Sequence, residues 1–201
     1  PINVGGFLKD GVGGVDGLNG AMGVTISPDG KHVYVAAKTD DTVAWFTRNT
    51  NTGALTYGGL LKDGVDGVDG LDFAKCVIIS PDGYHAYVGT INDNSVSWFT
   101  RDDSTGALTY GGFIKDGVDG VNGLDAAGSL ILSPNGQHMY VATAHDDTVT
   151  WLVRDLSTGA LSYGGLLKDG VGGVNGLLSA FSVTISPNGQ HVYVAAQTDS
   201  S

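Results

Sequence analysis

The chain of 201 residues carries a formal net charge of −11, and all 21 of its acidic residues are aspartates. A nucleic-acid-binding surface needs clustered lysine and arginine, so ten scattered basic residues argue against a nucleic-acid partner. Aspartate and glycine favour turns, so 33 glycines and no glutamate predict short strands rather than helices. No apolar run is long enough to predict insertion into a membrane. The single cysteine, Cys76, excludes an intrachain disulfide.

A glycine-rich segment occurs four times, and each copy starts 53 residues after the previous one. The copies are GGFLKDGVGGVDGL (Gly5–Leu18), GGLLKDGVDGVDGL (Gly58–Leu71), GGFIKDGVDGVNGL (Gly111–Leu124) and GGLLKDGVGGVNGL (Gly164–Leu177). A fixed period of this length is the signature of a repeat architecture. We expect one domain, residues 1–201, made of repeats 5–57, 58–110, 111–163 and 164–201, with residues 1–4 closing the ring.

Each period contains four short apolar runs separated by turn signals. In the second repeat the runs are Cys76–Ser80, Ala86–Thr90, Ser95–Thr100 and Ala107–Tyr110 with the following Gly-Gly. The first turn, Ser-Pro-Asp-Gly, combines the fixed φ of proline with a glycine that tolerates positive φ. Four-stranded units of this length are typical of propeller blades. The sequence predicts an all-β protein, a β-propeller of about four four-stranded blades.

The two ends of the sequence bear on how such a ring closes. Pro1–Val4 aligns with Ala54–Tyr57, the fourth strand of a blade, and Thr198–Ser201 stops just before a third strand. One interpretation is an N-terminal strand that completes the last blade as a clasp. The other is a homodimer in which two chains share a ring. The first residue is not Met, and the composition is acidic and helix-poor, so we expect an extracellular protein.

The turns of a propeller alternate between two faces, and the second face collects most of the polar residues of the repeat. The Asp40-Asp41 turn and the long glycine loop share that face. Glycines let a ligand approach the backbone, while Asp, Asn and Lys side chains bond to hydroxyl or amide groups. The predicted ligand-binding residues are Lys9, Asp10, Asp40, Asp41, Lys62, Asp63, Asp72, Asp93, Asn94, Lys115, Asp116, Asp125, Asp146, Asp147, Lys168 and Asp169.

Three aspartates in the second glycine loop, spaced three residues apart, raise the question of a calcium site. They are Asp63, Asp66 and Asp69, and a hard cation prefers several carboxylate oxygens. In other copies the second acid is replaced by glycine and the third by asparagine, and the spacing matches no calcium motif. We therefore expect no metal and no cofactor.

Aromatic and imidazole side chains also recur at the period. Trp45, Trp98 and Trp151 lie in the middle of predicted strands, where large aromatics usually pack in the core. Four histidines follow the Ser-Pro turn, and we expect them to bond to the backbone of that turn. They are His32, His85, His138 and His191. His145 is the one histidine outside the repeat, and the sequence gives no sign that it is catalytic.

Two units carry a family resemblance. SPDGKHVYVAAKTDDTVAWFTRNTNTGALT (Ser27–Thr56) and SPDGYHAYVGTINDNSVSWFTRDDSTGALT (Ser80–Thr109) resemble the YVTN-type repeat of the lactonase-like β-propeller family, which includes 6-phosphogluconolactonase-like enzymes. The resemblance implies a seven-bladed ring and a lactone-hydrolysing site. The chain departs from that pattern in supplying about four units and in the long connection LKDGVDGVDGL.

The near-identity of the copies favours a binding protein over an enzyme, because an enzyme needs one asymmetric constellation. We expect a lectin with no catalytic activity and near-equivalent sites between blades, whose partners are glycans or glycoconjugates such as N-acetylated hexosamines. Several weak sites on one rigid ring gain avidity. The alternatives are a lactonase-like hydrolase and a structural or protein-interaction propeller.

Overall fold

The computed structural model describes residues 6–197, which form fourteen β-strands joined by turns and loops. The strands are β1 (Ala21–Ile26), β2 (His32–Ala37), β3 (Thr42–Arg48), β4 (Leu55–Lys62), β5 (Ala74–Ile79), β6 (His85–Thr90), β7 (Ser95–Arg101), β8 (Leu108–Lys115), β9 (Ala127–Leu132), β10 (His138–Thr143), β11 (Thr148–Arg154), β12 (Leu161–Lys168), β13 (Ala180–Ile185) and β14 (Val192–Ala196). Over this range, no helix long and apolar enough to cross a membrane is present.

Consecutive strands pair antiparallel and form one sheet per repeat. The first three sheets have four strands each, in the orders β1-β2-β3-β4, β5-β6-β7-β8 and β9-β10-β11-β12, and the last pairs β13 with β14. The first strand of each sheet packs against the first strand of the next, so these strands lie innermost. The all-β prediction and the four-stranded unit of a propeller are confirmed. The clasp predicted for residues 1–4 lies outside the described residues.

The fourth strand of each sheet is longer than its apolar run. The fourth run was predicted to end at the Gly-Gly pair, but β4 and its equivalents continue to Lys62, Lys115 and Lys168. The pairing Thr42↔Lys62 closes the β3–β4 ladder. The Asp63 N–H then donates to the Asp41 carbonyl at 2.9 Å, which extends the pairing by one bond. The glycine loop therefore begins at the aspartate.

The Gly-Gly pair in each fourth strand is explained by the tryptophan of the third. A Cβ added at Gly58 or at Gly59 would lie 2.6 Å from the Trp45 indole. The register shifts between Trp45 and Phe46 at this point, and Gly59 has φ +148°. Because these two glycines have no Cβ, the indole can lie flat across the strand at this point. The predicted packing role is confirmed for Trp45 and Trp98, which pack in the buried clusters shared with the next sheets.

Apolar side chains fill the spaces between successive sheets. Val77 and Ala74 of β5 pack against Tyr34 and Ala36 of β2, and all four are almost fully buried. Leu130 and Ala127 of β9 pack against Tyr87 in the same way. Strands covered on both faces lose the alternation of apolar and polar residues, which is why β6 is buried at every position.

Two edges of the sheets carry different features, and we name them by those features. The turn rim holds the Ser-Pro turns between the first and second strands, together with the turns between the third and fourth strands. The loop rim holds the glycine loops and the turns between the second and third strands. This division of the turns between two faces is the one that the sequence predicts.

A buried arginine joins neighbouring sheets at the turn rim. Arg101 of β7 donates from Nε to the Tyr34 hydroxyl at 2.7 Å and from a terminal nitrogen to the Asp29 carboxylate at 3.1 Å. The same nitrogen lies 2.8 Å from Nδ1 of His32, and the Tyr34 hydroxyl donates to the Gly106 carbonyl at 2.9 Å. We call this arrangement the arginine clamp. Arg154 repeats it with the second sheet, contacting Asp82, His85 and Tyr87.

The clamp corrects the role predicted for the repeated histidines. The His32 and His85 rings do not bond to the backbone of their own turn, as predicted, but face the arginine of the following sheet. Burial, followed by the nearby guanidinium, lowers the pKa of both histidines. Each imidazole is therefore held neutral, which suits a ring nitrogen that accepts a bond from arginine.

Candidate active site at the loop rim

The first aspartate of each glycine loop closes that loop on itself. Asp63 Oδ1 accepts the Leu71 N–H at 2.8 Å, eight residues further along the chain. The same bond recurs at 2.9–3.0 Å in the other three copies, from Leu18 to Asp10, from Leu124 to Asp116 and from Leu177 to Asp169. One carboxylate oxygen of each predicted ligand-binding aspartate therefore has a structural partner, which leaves the second oxygen for other contacts.

The acids of the turns between second and third strands also accept backbone bonds. Asp40, Asp93 and Asp146 accept the N–H groups of Asn19, Asp72 and Asp125 at 2.8–2.9 Å, within one repeat. Their neighbours Asp41, Asn94 and Asp147 accept the N–H groups of Phe73, Ala126 and Ser179 in the next repeat, at 2.7–3.1 Å. The loop rim is thus fixed from both sides by side-chain oxygens.

Within residues 6–197, carboxylates gather in two places on this rim. Single oxygens of Asp63, Asp69 and Asp93 all lie within 4.8 Å of one another, and Asp10, Asp16 and Asp40 form the equivalent group. Partial burial raises the pKa of Asp63, the bond from Leu71 opposes this, and the charge of Asp93 adds to the rise. These are the oxygens with which the described chain could approach a hard cation. The third repeat has Asn122 at the position of Asp69, so the grouping is not common to all copies.

One of the predicted lysines pairs with these carboxylates. Lys115 Nζ lies 3.4 Å from Asp93 Oδ1 and is partly buried. The other three, Lys9, Lys62 and Lys168, are exposed. The structure brings Asp63, Asp93 and Lys115 together as one group. The ligand-binding role of the sixteen residues stays a prediction.

The residue that follows each glycine loop is not the same in all repeats, although the bond from its backbone N–H to a turn aspartate recurs in the first three. The four residues are Asn19, Asp72, Asp125 and Leu178. Twenty residues later a second variable position lies beside the first. Asn92 Nδ2 donates to Asp72 Oδ1 at 3.0 Å, while His145 Nδ1 lies 3.2 Å from Asp125 Oδ1. The third repeat therefore carries a carboxylate–imidazole pair that the second repeat lacks.

The Asp125–His145 pair is accessible, and the backbone that carries its carboxylate is firmly placed. The side chains are 64% exposed for His145 and 39% for Asp125. The backbone at Asp125 is held by Asp146, and that of Ala126 by Asn94. Ala126 has φ +59°, a left-handed conformation that costs energy for a residue with a Cβ. Such strain persists only where the surroundings enforce it.

Sequence reasoning named Asp125 as a site residue and missed His145. The available signal was the variability itself, because positions 125 and 145 differ between copies in a chain whose other residues repeat closely. The two positions are 20 residues apart, and only the hairpin of β9 and β10 brings them together. Because the hairpin creates this contact, no cluster of catalytic residue types is visible along the sequence itself.

Cys76 is a second reactive side chain in the described range, but its setting is unsuited to nucleophilic attack. Enclosure between the second and third sheets raises the pKa of its thiol to about 11. A thiol needs its thiolate form to act as a nucleophile. Cys76 therefore serves packing, as its counterparts Gly23, Ser129 and Ser182 suggest.

A family model described as lactonase, 7-bladed β-propeller, matches residues 8–113 and 74–165. The chain belongs to this family of lactonase-type β-propellers. The family resemblance found in the repeat units is confirmed. No curated protein sequence matches the chain significantly.

Solved structures show the same fold. A putative 6-phosphogluconolactonase from Bacteroides uniformis is 22% identical, with a TM-score of 0.70 over 88% of this chain and 47% of that one. A putative 6-phosphogluconolactonase from Bacteroides fragilis is 24% identical, with a TM-score of 0.64 over 75% of this chain and 39% of that one. A periplasmic gluconolactonase from Pseudomonas aeruginosa is 22% identical, with a TM-score of 0.60 over 73% and 39%. The chain spans less than half the length of these structures.

The family match overturns two sequence-based expectations. We expected a lectin without enzymatic activity, and both parts are wrong, because the family that matches most of the chain is one of lactonases. The reasoning failed because it took near-identity of the repeats as identity. A few variable positions at the loop rim are enough to make one repeat chemically different from its neighbours.

Proposed function

We propose that the protein is a lactonase-like hydrolase that opens a sugar lactone at the loop rim of the third repeat. The observation that carries the proposal is the Asp125–His145 pair, an exposed carboxylate and imidazole 3.2 Å apart at positions that vary between repeats. The family match supports the reaction class, since lactone hydrolysis is what the family name describes.

The geometry assigns one role to each side chain. With the Nδ1–H donating to Asp125, His145 presents an unprotonated Nε2, which is the form that accepts a proton. Asp125 is a positioning residue that fixes this tautomer and the orientation of the ring. The Asp125 backbone N–H donates to the Asp146 carboxylate, which fixes the main chain that carries the Asp125 side chain.

The reaction then follows the ordinary course of ester hydrolysis. His145 Nε2 takes a proton from water as the oxygen attacks the lactone carbonyl carbon, which gives a tetrahedral oxyanion. The bond from carbon to ring oxygen breaks, and the ring oxygen takes the proton back from Nε2. The product is the open hydroxy acid, with the elements of water added and the imidazole restored.

The neighbouring residues favour a polyhydroxylated substrate. Asp72 and Asn92 occupy, in the second repeat, the positions that Asp125 and His145 occupy in the third. Their carboxylate and amide groups accept and donate bonds of the kind that sugar hydroxyls make. Lys115 lies 3.4 Å from Asp93, so it adds a positive charge beside the carboxylates of the second repeat. These groups support a sugar lactone over an apolar one.

The test is hydrolysis of a lactone panel that contains gluconolactone, its 6-phosphate and an alkyl lactone, measured as acid release. His145→Gln and Asp125→Asn are the variants, and His138→Gln on the turn rim is the matched histidine control. We expect kcat/KM to fall by about 10²–10⁴-fold for His145→Gln and to stay unchanged for His138→Gln. Equal activity in His145→Gln and the parent protein would refute the assignment of the base. No hydrolysis of any lactone above background would refute the proposed function.

A further inference from the structure

The two rims of the molecule differ in charge. Fifteen of the 21 aspartates lie on the loop rim, with eight in the glycine loops, five in the turns between second and third strands, and two directly after a glycine loop. Six lysines lie on or beside that rim, namely Lys9, Lys38, Lys62, Lys75, Lys115 and Lys168. Within residues 6–197, the turn rim has five aspartates against four basic residues. The excess negative charge of the chain is therefore concentrated on the loop rim.

Further carboxylates flank the Asp125–His145 pair. Asp146 and Asp147 follow His145 directly in the turn between β10 and β11. The Asp146 carboxylate accepts the Asp125 N–H at 2.9 Å, and the Asp147 carboxylate accepts the Ser179 N–H at 2.7 Å. Across the described residues, no lysine or arginine forms an ion pair with any of these three aspartates. Their negative charges therefore act on any molecule that approaches the imidazole.

Among the described residues, no arginine lies on the loop rim. Each of the three arginines ends a third strand at the turn rim, and Arg101 and Arg154 are held in the clamps. The lysine of the third repeat, Lys168, is exposed and stands where Lys115 pairs with an aspartate, but it forms no ion pair with a described residue. Arginine is the side chain that binds phosphate with two parallel hydrogen bonds, so this rim lacks the group best suited to a phosphate.

The carboxylates of the rim already repel one another. Partial burial raises the pKa of Asp63, and the bond from Leu71 opposes the rise. The charges of Asp93, Asp69 and Asp41 add to the rise. An anion that enters this rim meets the same repulsion, and the repulsion grows in proportion to the charge of the anion. An uncharged molecule avoids it.

We propose that the lactone hydrolysed at Asp125 and His145 is uncharged, and that the loop rim disfavours its phosphorylated counterpart by electrostatic repulsion. This inference rests on the proposed function and narrows its substrate class. The carboxylates remain suitable partners for a neutral sugar, because an ionised carboxylate accepts hydrogen bonds from hydroxyl groups. The same side chains therefore attract the hydroxyls of a sugar lactone and repel a phosphate on it.

The test compares gluconolactone with its 6-phosphate, two substrates that differ only in the phosphate group. The kcat/KM of each is measured by acid release at ionic strengths of about 0.01 M and about 0.5 M, between which the screening length falls from roughly 30 Å to roughly 4 Å. At the lower ionic strength we expect kcat/KM to be about 10-fold or more lower for the phosphorylated lactone. Salt should raise that value by about 3-fold or more and change the value for gluconolactone by less than about 2-fold.

One variant on each rim separates repulsion at the loop rim from the effect of net charge. Asp119→Asn removes a charge from the glycine loop of the third repeat, at a position where the first and fourth repeats have glycine. Asp103→Asn makes the same change at an exposed position of the turn rim. At low ionic strength we expect Asp119→Asn to raise kcat/KM for the phosphorylated lactone by about 2-fold, the size of effect that one charge exerts through water. Asp103→Asn should leave that value unchanged.

The possible failures of this inference and of the proposed function are distinguishable. Equal or faster hydrolysis of the phosphorylated lactone at low ionic strength would overturn the inference alone. A preference for gluconolactone that salt does not reduce would also overturn it, because the preference would then depend on shape rather than on charge. Equal effects of the two variants would have the same meaning for the role of the loop rim. The absence of hydrolysis of any lactone would instead refute the proposed function, and this inference with it.

Discussion

The two rims of the molecule are built from the same repeat but serve different purposes. At the turn rim, the clamp residues recur almost unchanged, and each contact joins one sheet to the next. At the loop rim, the framework recurs, but the residue after each glycine loop and its partner in the adjacent turn vary. Repetition therefore builds the stability of the array, and departures from repetition build the candidate chemistry. A change at the turn rim should affect folding, whereas a change at the variable positions should affect activity.

The largest expected effect is at the clamp. Arg101→Ala leaves the Tyr34 hydroxyl, the His32 ring and the Gly83 carbonyl without their buried donor. We expect a loss of about 3–5 kcal/mol in the free energy of unfolding, measured by urea denaturation. The matched control is Arg48→Ala. It removes one bond to the Gly30 carbonyl from a half-buried arginine and should cost about 1 kcal/mol. Similar losses for the two variants would mean that the clamp contributes little.

A glycine at the turn rim gives the second test. Gly106 has φ +78°, and a Cβ there would collide with the His32 ring of the preceding sheet. Gly53 has φ +77° and open space around the same position. Both alanine variants carry the conformational penalty, so their difference isolates the contact between sheets. We expect Gly106→Ala to be less stable than Gly53→Ala by roughly 2 kcal/mol, the usual cost of overpacking, in thermal unfolding. Equal melting temperatures would show that the His32 ring moves away from the added methyl group without loss of stability.

Acid should weaken the turn rim before it affects the loop rim. The folded chain lowers the pKa of His32 and His85 from 6.5, so their unfolded forms take up protons first. The stability that depends on neutral imidazole is full above pH 6.5 and declines as the pH falls below that value. Bonds from Ser27, Lys31 and Arg101 outweigh partial burial and lower the pKa of Asp29, which adds a further loss below its unfolded value of 3.8.

The measurement for this prediction is the free energy of unfolding between pH 8 and pH 3, in ~1-unit steps. The variant His32→Gln should flatten the decline that begins near pH 6.5, the unfolded histidine value. His191 occupies the equivalent position in the last sheet and is exposed. The variant His191→Gln should therefore leave the profile unchanged. A profile that is flat from neutral pH to pH 4.5 in the parent chain would contradict the role of the buried histidines.

The smallest expected effect is at the loop rim. The raised pKa of Asp63 means that its charged form opposes folding above the unfolded value of 3.8. Asp63→Asn keeps an oxygen to accept the Leu71 N–H and removes the charge beside Asp93. We expect a gain of roughly 0.5 kcal/mol at neutral pH, which vanishes as the pH falls through the raised pKa toward 3.8. Asp119→Asn, in the adjacent glycine loop, controls for the change in net charge.

The local part of the architecture could be predicted from the sequence, because turn residues act over a few positions. Pro81 and Gly83 locate a turn wherever they occur, and the period of 53 residues places the sheets. The division of polar residues between two rims followed from antiparallel pairing alone. The extension of the fourth strand to Lys62 was missed, because a lysine before a glycine loop carries no strand signal.

Contacts between sheets and the chemistry of the site could not be predicted in this way. The clamp joins residues 67–72 positions apart, and nothing in the composition pairs Arg101 with Tyr34 rather than with solvent. The sequence shows that Asp63 and Asp93 are polar but not that each already accepts a backbone N–H. His145 was dismissed because its partner lies 20 residues earlier, and only the structure shows that the hairpin closes that distance.

The spacing of the clamp also has a consequence for biosynthesis. The Tyr34 hydroxyl bonds to a carbonyl 72 residues downstream, so each sheet leaves the ribosome before the groups that complete its rim have been made. The nascent chain therefore always carries one unfinished sheet at its growing end, with an uncovered apolar face and unbonded polar groups. A folding factor that recognises this sheet would meet the same surface again every 53 residues, and one binding mode would serve the whole length of the chain.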